Sequence, residues 1–389
     1  MANFSALFKL RQFQNIALCH LNTTLGMNLL IPVLPVFLHN QGFSETQIGL
    51  IMGATAASSL LVRPWVGIQV DTRGSRPIIL FGQILLFLSV VGYLGAAGFW
   101  TFVALRSLFG LALAFYNTGA VTFASSIGTG DLNASAIAMY TLTTMVGLGI
   151  SMSFAQIAFE RFGFTLLIVL SAILVAGAFA VMKFRQAPAL VRGGGSKRSS
   201  FTTVLKDKVV LAVTAGQFGA SFSFGALFTF IPLASLAEGI SFYSLFYIAF
   251  AVFVILSRLF VQKVDELFGV KKAAEYSALL MLLGLVLLVI KLSPLTLLAA
   301  GILFGLGFGI VFPTLVLILV KGTDGANRGT ALGIMTAAGD IANALSTAVL
   351  GGVAEHFGYV ALFLAASLVL LGCIYYFYSA LSKKEAGQV

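Results

Sequence analysis

Charge is what this sequence has least of. Asp, Glu, Lys and Arg make up 9% of its 389 residues, against about 25% in a soluble globular protein. A water-exposed fold of this size is excluded, so lipid is the solvent for most of the chain. Cysteine is nearly absent: Cys19 and Cys373 both fall in apolar runs, which leaves no disulfide framework and no zinc spacing. The three histidines, His20, His39 and His356, are scattered, so no metal cluster is expected. A G-x-x-x-x-G-K-[ST] phosphate loop is missing, and ATP is therefore not an energy source within this chain. No cofactor is expected. Short strands of alternating polarity are missing as well. A membrane admits only helices or closed barrels, and these runs are too long and too rich in Leu, Ala and Gly for barrel strands of about 10 residues.

Hydrophobic residues make up 59% of the chain, and mean hydropathy is +1.03. A helix needs about 20 mostly apolar residues to cross about 30 Å of hydrocarbon. The sequence predicts twelve such spans, at 14–38, 46–68, 77–97, 101–123, 135–158, 164–183, 209–235, 242–262, 273–291, 295–320, 330–353 and 359–381. The fold class expected is an all-α membrane protein. With the N-terminus in the cytoplasm, that side receives nearly all the basic loop residues, among them Arg73, Arg76, Arg192, Lys197, Arg198, Lys271, Lys272, Lys383 and Lys384. The outer side receives Arg161 and Lys291, together with Glu45, Glu160, Glu238 and Glu355. This asymmetry predicts both termini in the cytoplasm. It also accounts for the net charge of +10 without a nucleic-acid partner. The first apolar run is too long for a signal-peptide core and holds His20, Asn22 and Asn28, so no cleavable signal is expected.

The chain repeats itself. LFGL at 108–111 returns at 303–306, ERFGF at 160–164 returns as EHFGY at 355–359, Arg63 as Arg258 and Gly74 as Gly269. Each separation is 195 residues (303 − 108, for example). Pro35 and Gly42 return as Pro232 and Gly239 at 197. Parallel repeats of six spans related by an axis along the membrane normal are a transporter architecture. The expected organisation is an N-terminal half at 1–184, a cytoplasmic linker at 185–208 centred on GGGSKRSS, and a C-terminal half at 209–389. Such a Gly/Ser/Lys stretch reads as flexible.

The charged stretch RPWVGIQVDTRGSRP at 63–77 lies between spans two and three. It resembles the signature loop of the major facilitator superfamily, roughly G-x-x-x-D-(R/K)-x-G-(R/K)-(R/K). Gly67, Asp71 and Gly74 match, while Thr72 stands at the usual basic position and the basic residues are Arg73 and Arg76. A weaker copy runs from Arg258 to Lys272, with Glu266 aligned to Asp71. In span four, Arg106 and Gly110 resemble the family's R-x-x-x-G element. The likeness points to the drug or metabolite:proton antiporter branch, although GLGIS at 147–151 replaces that branch's G-x-x-x-G-P motif. The resemblance implies a gating role for the loop. Its candidates are Gly67, Asp71, Gly74 and Arg76, with Arg258 and Glu266 in the second copy. Physically, Asp71 sits at a helix end where a carboxylate can face the partly positive N-terminus of another helix. The partner expected is the start of span eleven, near Arg328 to Thr330. Arg73 and Arg76 also read as orientation charges.

Ionisable residues inside a membrane are costly and mark functional candidates. Arg106 lies inside span four, with Gly110 and Asn117 on one face with it. It either binds span-one carbonyls structurally or meets an anionic group; the resemblance places it near proton coupling. Asp340, with Asn343 and Thr347 on its face of span eleven, is either a proton site, since burial raises a carboxyl pKa, or a neutral acid within a helix pair. His20, Thr24 and Asn28 form a polar stripe on span one, where His20 either titrates or sits neutral in a hydrogen bond. Tyr140, Thr144 and Ser151 on span five and Gln217, Ser221 and Phe228 on span seven form further faces. Phe304, Phe308 and Phe312 recur at one helical face of span ten, as an aromatic wall for a ligand or as packing. In this family spans one, four, seven and ten line the cavity.

Three function classes compete. An intramembrane enzyme needs a nucleophile–base or metal cluster, which these spans do not supply, so no enzyme is expected. A non-transporting receptor or scaffold needs no pair of matched gates. A secondary transporter working by alternating access is the first reading, as proton-coupled efflux of a small amphipathic molecule; its runner-up is proton-coupled uptake of an organic anion through Arg106. The expected partners are the small-molecule substrate, protons as coupling ion and membrane lipid, with a monomeric chain in the inner (cytoplasmic) membrane.

Overall fold

The computed structural model describes residues 11–126, 131–184, 204–324 and 327–386. Residues 185–203, most of the expected linker, lie outside them. Every regular element among the described residues is helical. Among the described residues nine helices are long and apolar enough to cross a membrane, and they account for eleven spans. Asp131–Phe184 turns at Gly163 (φ 78°) and Arg328–Ala386 turns at Gly358 (φ 81°), so each holds two. The twelfth is span one, broken into Arg11–Asn28 and Leu34–Asn40. The others run Glu45–Arg73, Ser75–Gly92, Phe99–Ser125, Lys208–Ala237, Ser244–Phe268, Val270–Ile290 and Pro294–Gly322. This is an all-α membrane protein of twelve helices in two six-helix halves.

Local chemistry sets the ends and breaks. Pro32 and Pro35 carry no N–H, and the helix opens into a turn over residues 29–33 between the two pieces of span one. Asp207 caps Lys208–Ala237 by accepting the Val209 N–H at 2.7 Å. Ser293 and Thr296 form a reciprocal cap, with Pro294 just inside the helix, where its missing N–H leaves nothing unpaired. Pro232 sits inside span seven and cannot donate to the Phe228 carbonyl four residues earlier. Tyr247 donates its hydroxyl there instead, at 3.3 Å, because lipid offers no water to an orphaned carbonyl.

The repeat read in the sequence recurs as repeated structure within each half. Ser151 donates its hydroxyl to the Leu25 carbonyl at 2.9 Å, and Ser346 to the Phe222 carbonyl at 2.6 Å. The donors are 195 residues apart (346 − 151) and the acceptors 197 (222 − 25). Likewise Gly110 packs on the Thr55 carbonyl and Gly305 on the Phe250 carbonyl. Small residues let helix backbones approach where lipid gives no hydrophobic drive for helices to associate.

By contacts the chain forms two compact units, residues 1–40 with 54–194 and residues 41–53 with 195–389. The first has a core of Phe13, Ile16, Cys19, Ile79, Tyr116, Ala120 and Phe123. The second is built around the buried aromatics Phe228, Tyr247, Phe250 and Phe304.

Candidate functional site

In the first unit a polar cluster surrounds His20, which is buried. Its Nδ1 lies 2.9 Å from the Tyr116 hydroxyl and its Nε2 2.7 Å from Thr144 Oγ1. The ring stacks on Tyr140 at 3.9 Å between centroids. Thr144 also donates to the Tyr140 carbonyl at 3.1 Å. With the Thr144 proton placed there, His20 donates from Nε2 and accepts the Tyr116 proton at Nδ1, a neutral ring with both nitrogens occupied. Thr24 and Asn28 donate to the carbonyls four residues back, of His20 and Thr24, at 2.7 and 2.8 Å. The expected stripe on span one is thus tied into its own helix and to spans four and five.

Arg106 is 4% exposed. Its guanidinium lies 5.0 Å from the centre of the Phe109 ring, and the Tyr93 hydroxyl is within its electrostatic reach. Its Nε and Nη1 have no hydrogen-bond partner among the described residues. A cation over an aromatic face gains roughly 0.5–2 kcal/mol, yet two buried donors left unmatched cost more than that, about 1–3 kcal/mol each. Asn117, on the same helix, is half-buried.

In the second unit the face of span seven carries Gln217, Ser221, Phe224 and Phe228 at helical spacing. Gln217 donates to Ser221 Oγ at 2.9 Å. Gly339 of span eleven lies against both, since a Cβ there would stand 2.9 Å from Ser221 Oγ and 3.0 Å from Gln217 Nε2. Asp340 follows it, half-buried. Asn343 Oδ1 reaches the site of a Cβ on Gly225, 2.5 Å away. Farther along span seven, Phe224 stacks on Phe228 at 3.8 Å and on Phe308 at 5.1 Å. Phe228 is buried against Phe246, Tyr247 and Phe250, and Tyr140 is buried in the first unit. Phe224, Phe308 and Phe312 are the half-buried members of the aromatic wall. Phe224 was missed, although its place one turn after Ser221 is readable from helical spacing.

The loop residues divide. Gly74 ends span two with φ 86°, and Gly67 has open space where a Cβ would stand. Asp71 is exposed. Arg76 donates from Nε to the Met182 carbonyl at 3.2 Å and from Nη2 to the Lys183 carbonyl at 2.7 Å, so it caps the last carbonyls of span six, where a cation is favoured. In the second copy Arg258 is half-buried, with Nε unmatched among the described residues. Glu266 is exposed and accepts Gln262 Nε2 at 3.1 Å. Its neighbour Asp265 instead faces span ten and accepts the Thr314 hydroxyl at 3.2 Å. The sequence aligns Glu266 with Asp71; the residue of this pair that meets span ten is Asp265. Glu275 was also missed. It lies just inside the apolar run of span nine and lines a small cleft with Gly216, Ala274, Cys373 and Phe377.

Comparison with known proteins agrees with this architecture. The family model described as Major Facilitator Superfamily matches residues 16–265 and 241–388. The MFS-type transporter YhhS of Escherichia coli is 26% identical over 355 residues, covering 88% of this chain and 86% of that protein. An MFS-type transporter of Burkholderia mallei is 28% identical over 365 residues, covering 90% and 86%. Among solved structures, the nucleoside transporter NupG, in a mutant form, superposes with a TM-score of 0.79 at 13% identity, over 95% of this chain and all (100%) of that one. The human organic anion transporter MFSD10 does so with a TM-score of 0.70 at 16% identity, over 94% and 99%.

Proposed function

Given that the chain belongs to the major facilitator superfamily, we propose that it is a proton-coupled exporter of a small amphipathic molecule, working by alternating access. It is a multi-pass membrane transporter by family; direction, coupling ion and substrate are the proposal. The observation that carries it is the face of span seven. Gln217 and Ser221 offer polar atoms, and one turn on the half-buried rings of Phe224 and Phe308 stack 5.1 Å apart. One face thus offers hydrogen bonds and an apolar surface in succession, which suits a molecule with a polar end and a flat apolar body. In the same unit Asp340 supports proton coupling, because a carboxyl held in a membrane interior can bind and release a proton near neutrality. The charged loop, with Gly67, Asp71, Gly74 and Arg76 and the second copy at Arg258 and Glu266, serves as the cytoplasmic gate. The loop charges favour the inner (cytoplasmic) membrane with both termini in the cytoplasm, and the chain acts as a monomer.

A second reading, uptake of an organic anion, is favoured by Arg106, a buried cation whose Nε and Nη1 are unmatched among the described residues.

Proteoliposomes with an imposed pH gradient test both. An amphipathic cationic dye and an amphipathic carboxylate dye are the probes. Gradient-driven flux of either, lost in Asp340→Asn, is expected; the carboxylate dye alone moving selects the second reading. Gradient-independent movement of both would overturn proton coupling.

A further inference from the structure

Residues 41–53 group with 195–389, although the rest of span two belongs to the first unit. The outer end of span two reads GLIMG at 49–53, a G-x-x-x-G pair of the kind that brings membrane helices together. Opposite it on span eleven stand Thr347 and Gly351. A Cβ on Gly49 would collide with the Thr347 carbonyl. One on Gly53 would stand 2.9 Å from Thr347 Oγ1 and 3.0 Å from the Ala344 carbonyl, and one on Gly351 2.5 Å from the Glu45 carbonyl. The two backbones touch as only small residues allow.

Two side chains close the contact at its outer edge. Glu355 Oε2 accepts the Thr46 N–H at 3.0 Å. That N–H lies in the first turn of span two, where helical donors have no partner within the helix. Glu355 therefore does from another helix what an N-cap residue does from its own, and its negative charge suits the positive end of the helix. Tyr359 donates its hydroxyl to Glu45 Oε1 at 3.1 Å. The glycine packing itself carries no charge, so the two polar contacts can be removed by substitution with every glycine left in place.

We propose that Glu355 and Tyr359 are the latch of an outer gate: positioning residues that hold residues 45–53 against 344–359, and whose release is a required step of transport. The inference rests on the transport reading for its purpose. The contact itself is measurable without substrate.

Ala348 of span eleven lies 3.6 Å from where a Gly53 Cβ would stand, so Ala348→Cys reports opening. In the full chain reconstituted in liposomes, labelling of this cysteine by a membrane-impermeant maleimide is compared with the parent protein, in which Cys19 is buried and Cys373 partly so. Adding Glu355→Ala, which removes the acceptor for the Thr46 N–H, should raise the labelling rate several-fold, and Tyr359→Phe by less. Hydrogen exchange at residues 46–49 should rise in step, while that at residues 219–225 of span seven stays at the parent rate. Unchanged labelling and exchange would overturn the latch, and so would a rise at 219–225 as large as that at 46–49, which means general loosening. For the transport step, Gly352→Cys is paired with Thr46→Cys, since a Cβ at Gly352 stands 3.7 Å from Thr46 Oγ1. Oxidation should stop gradient-driven dye flux and reduction restore it; full flux in the oxidised pair would overturn the requirement for release. No flux in the parent protein counts against the transport reading and leaves the labelling result to decide the latch.

Discussion

Arg106 stands where a membrane protein tolerates a cation poorly, and the sequence alone marked it for that reason. A structural arginine would have its donors matched, whereas Nε and Nη1 have no partner among the described residues. Replacing it by an apolar residue should therefore relieve the fold. Arg106→Leu is expected to hold or raise thermal stability, by up to about 1–3 kcal/mol, while lowering affinity for an amphipathic carboxylate by about 10-fold to 100-fold. Arg106→Lys, which keeps charge but loses the planar fork, should recover only part of that affinity. Melting temperature and dye binding on the same preparations check this, and a sharp loss of stability would return Arg106 to a structural role. Glu355 behaves differently. The Thr46 and Ser44 hydroxyls and the Thr46 N–H hold its carboxyl down, from 4.5 to about 2, with the neighbouring His356 adding to the effect. Its contribution is thus fully present above the ordinary carboxylate value and is lost as pH falls through about 2. Protection of the Thr46 amide, corrected for intrinsic exchange, should be flat between about pH 5 and about pH 8 and decline only in stronger acid. A midpoint near neutrality would contradict that sign.

Helices in this protein are defined as much by their interruptions as by their runs. Pro232 removes one donor from span seven, and Tyr247 supplies the replacement to the Phe228 carbonyl. Tyr247→Phe should cost about 1 kcal/mol. In a Pro232→Ala background it should cost less, because the new alanine N–H takes that carbonyl back. A double-mutant cycle read by thermal or denaturant unfolding measures the coupling, and zero coupling would mean that Tyr247 serves some other purpose. The corresponding proline in span one, Pro35, is accompanied by Pro32, and there the helix does break. Sequence repetition located both prolines; whether a helix bends, breaks or is patched depended on a hydroxyl from a neighbouring span.

Across the twelve spans, the proposal of alternating access needs an inner gate as well as the outer latch. Asp71 is exposed near the Arg73 end of span two, free of the burial that would make it a fold residue. Asp71→Asn is expected to leave membrane insertion and thermal stability near the parent values and to reduce dye flux several-fold. Flux equal to the parent would remove the inner-gate role. Arg76 makes a useful contrast, since it caps span six: Arg76→Ala should lower stability.

Much of the molecule is legible in its sequence. Scarcity of charge and the length of the apolar runs determined a twelve-helix membrane protein, because hydrocarbon leaves the backbone no other way to satisfy its hydrogen bonds. The separation of 195 residues determined the duplication, and Ser151 and Ser346 now repeat it bond for bond. What tertiary structure alone decided were the partners. Helical spacing says which residues share a face, but not which neighbour that face meets or whether an adjacent residue is turned toward it. Hence Asp265 rather than Glu266 reaches span ten, and Phe224 rather than Phe228 keeps an accessible ring. Glu355 and Thr46 lie 309 residues apart, and no local pattern links them: their contact exists only because Gly49, Gly53 and Gly351 let two backbones approach closely enough for a carboxylate on one helix to reach the first amides of another.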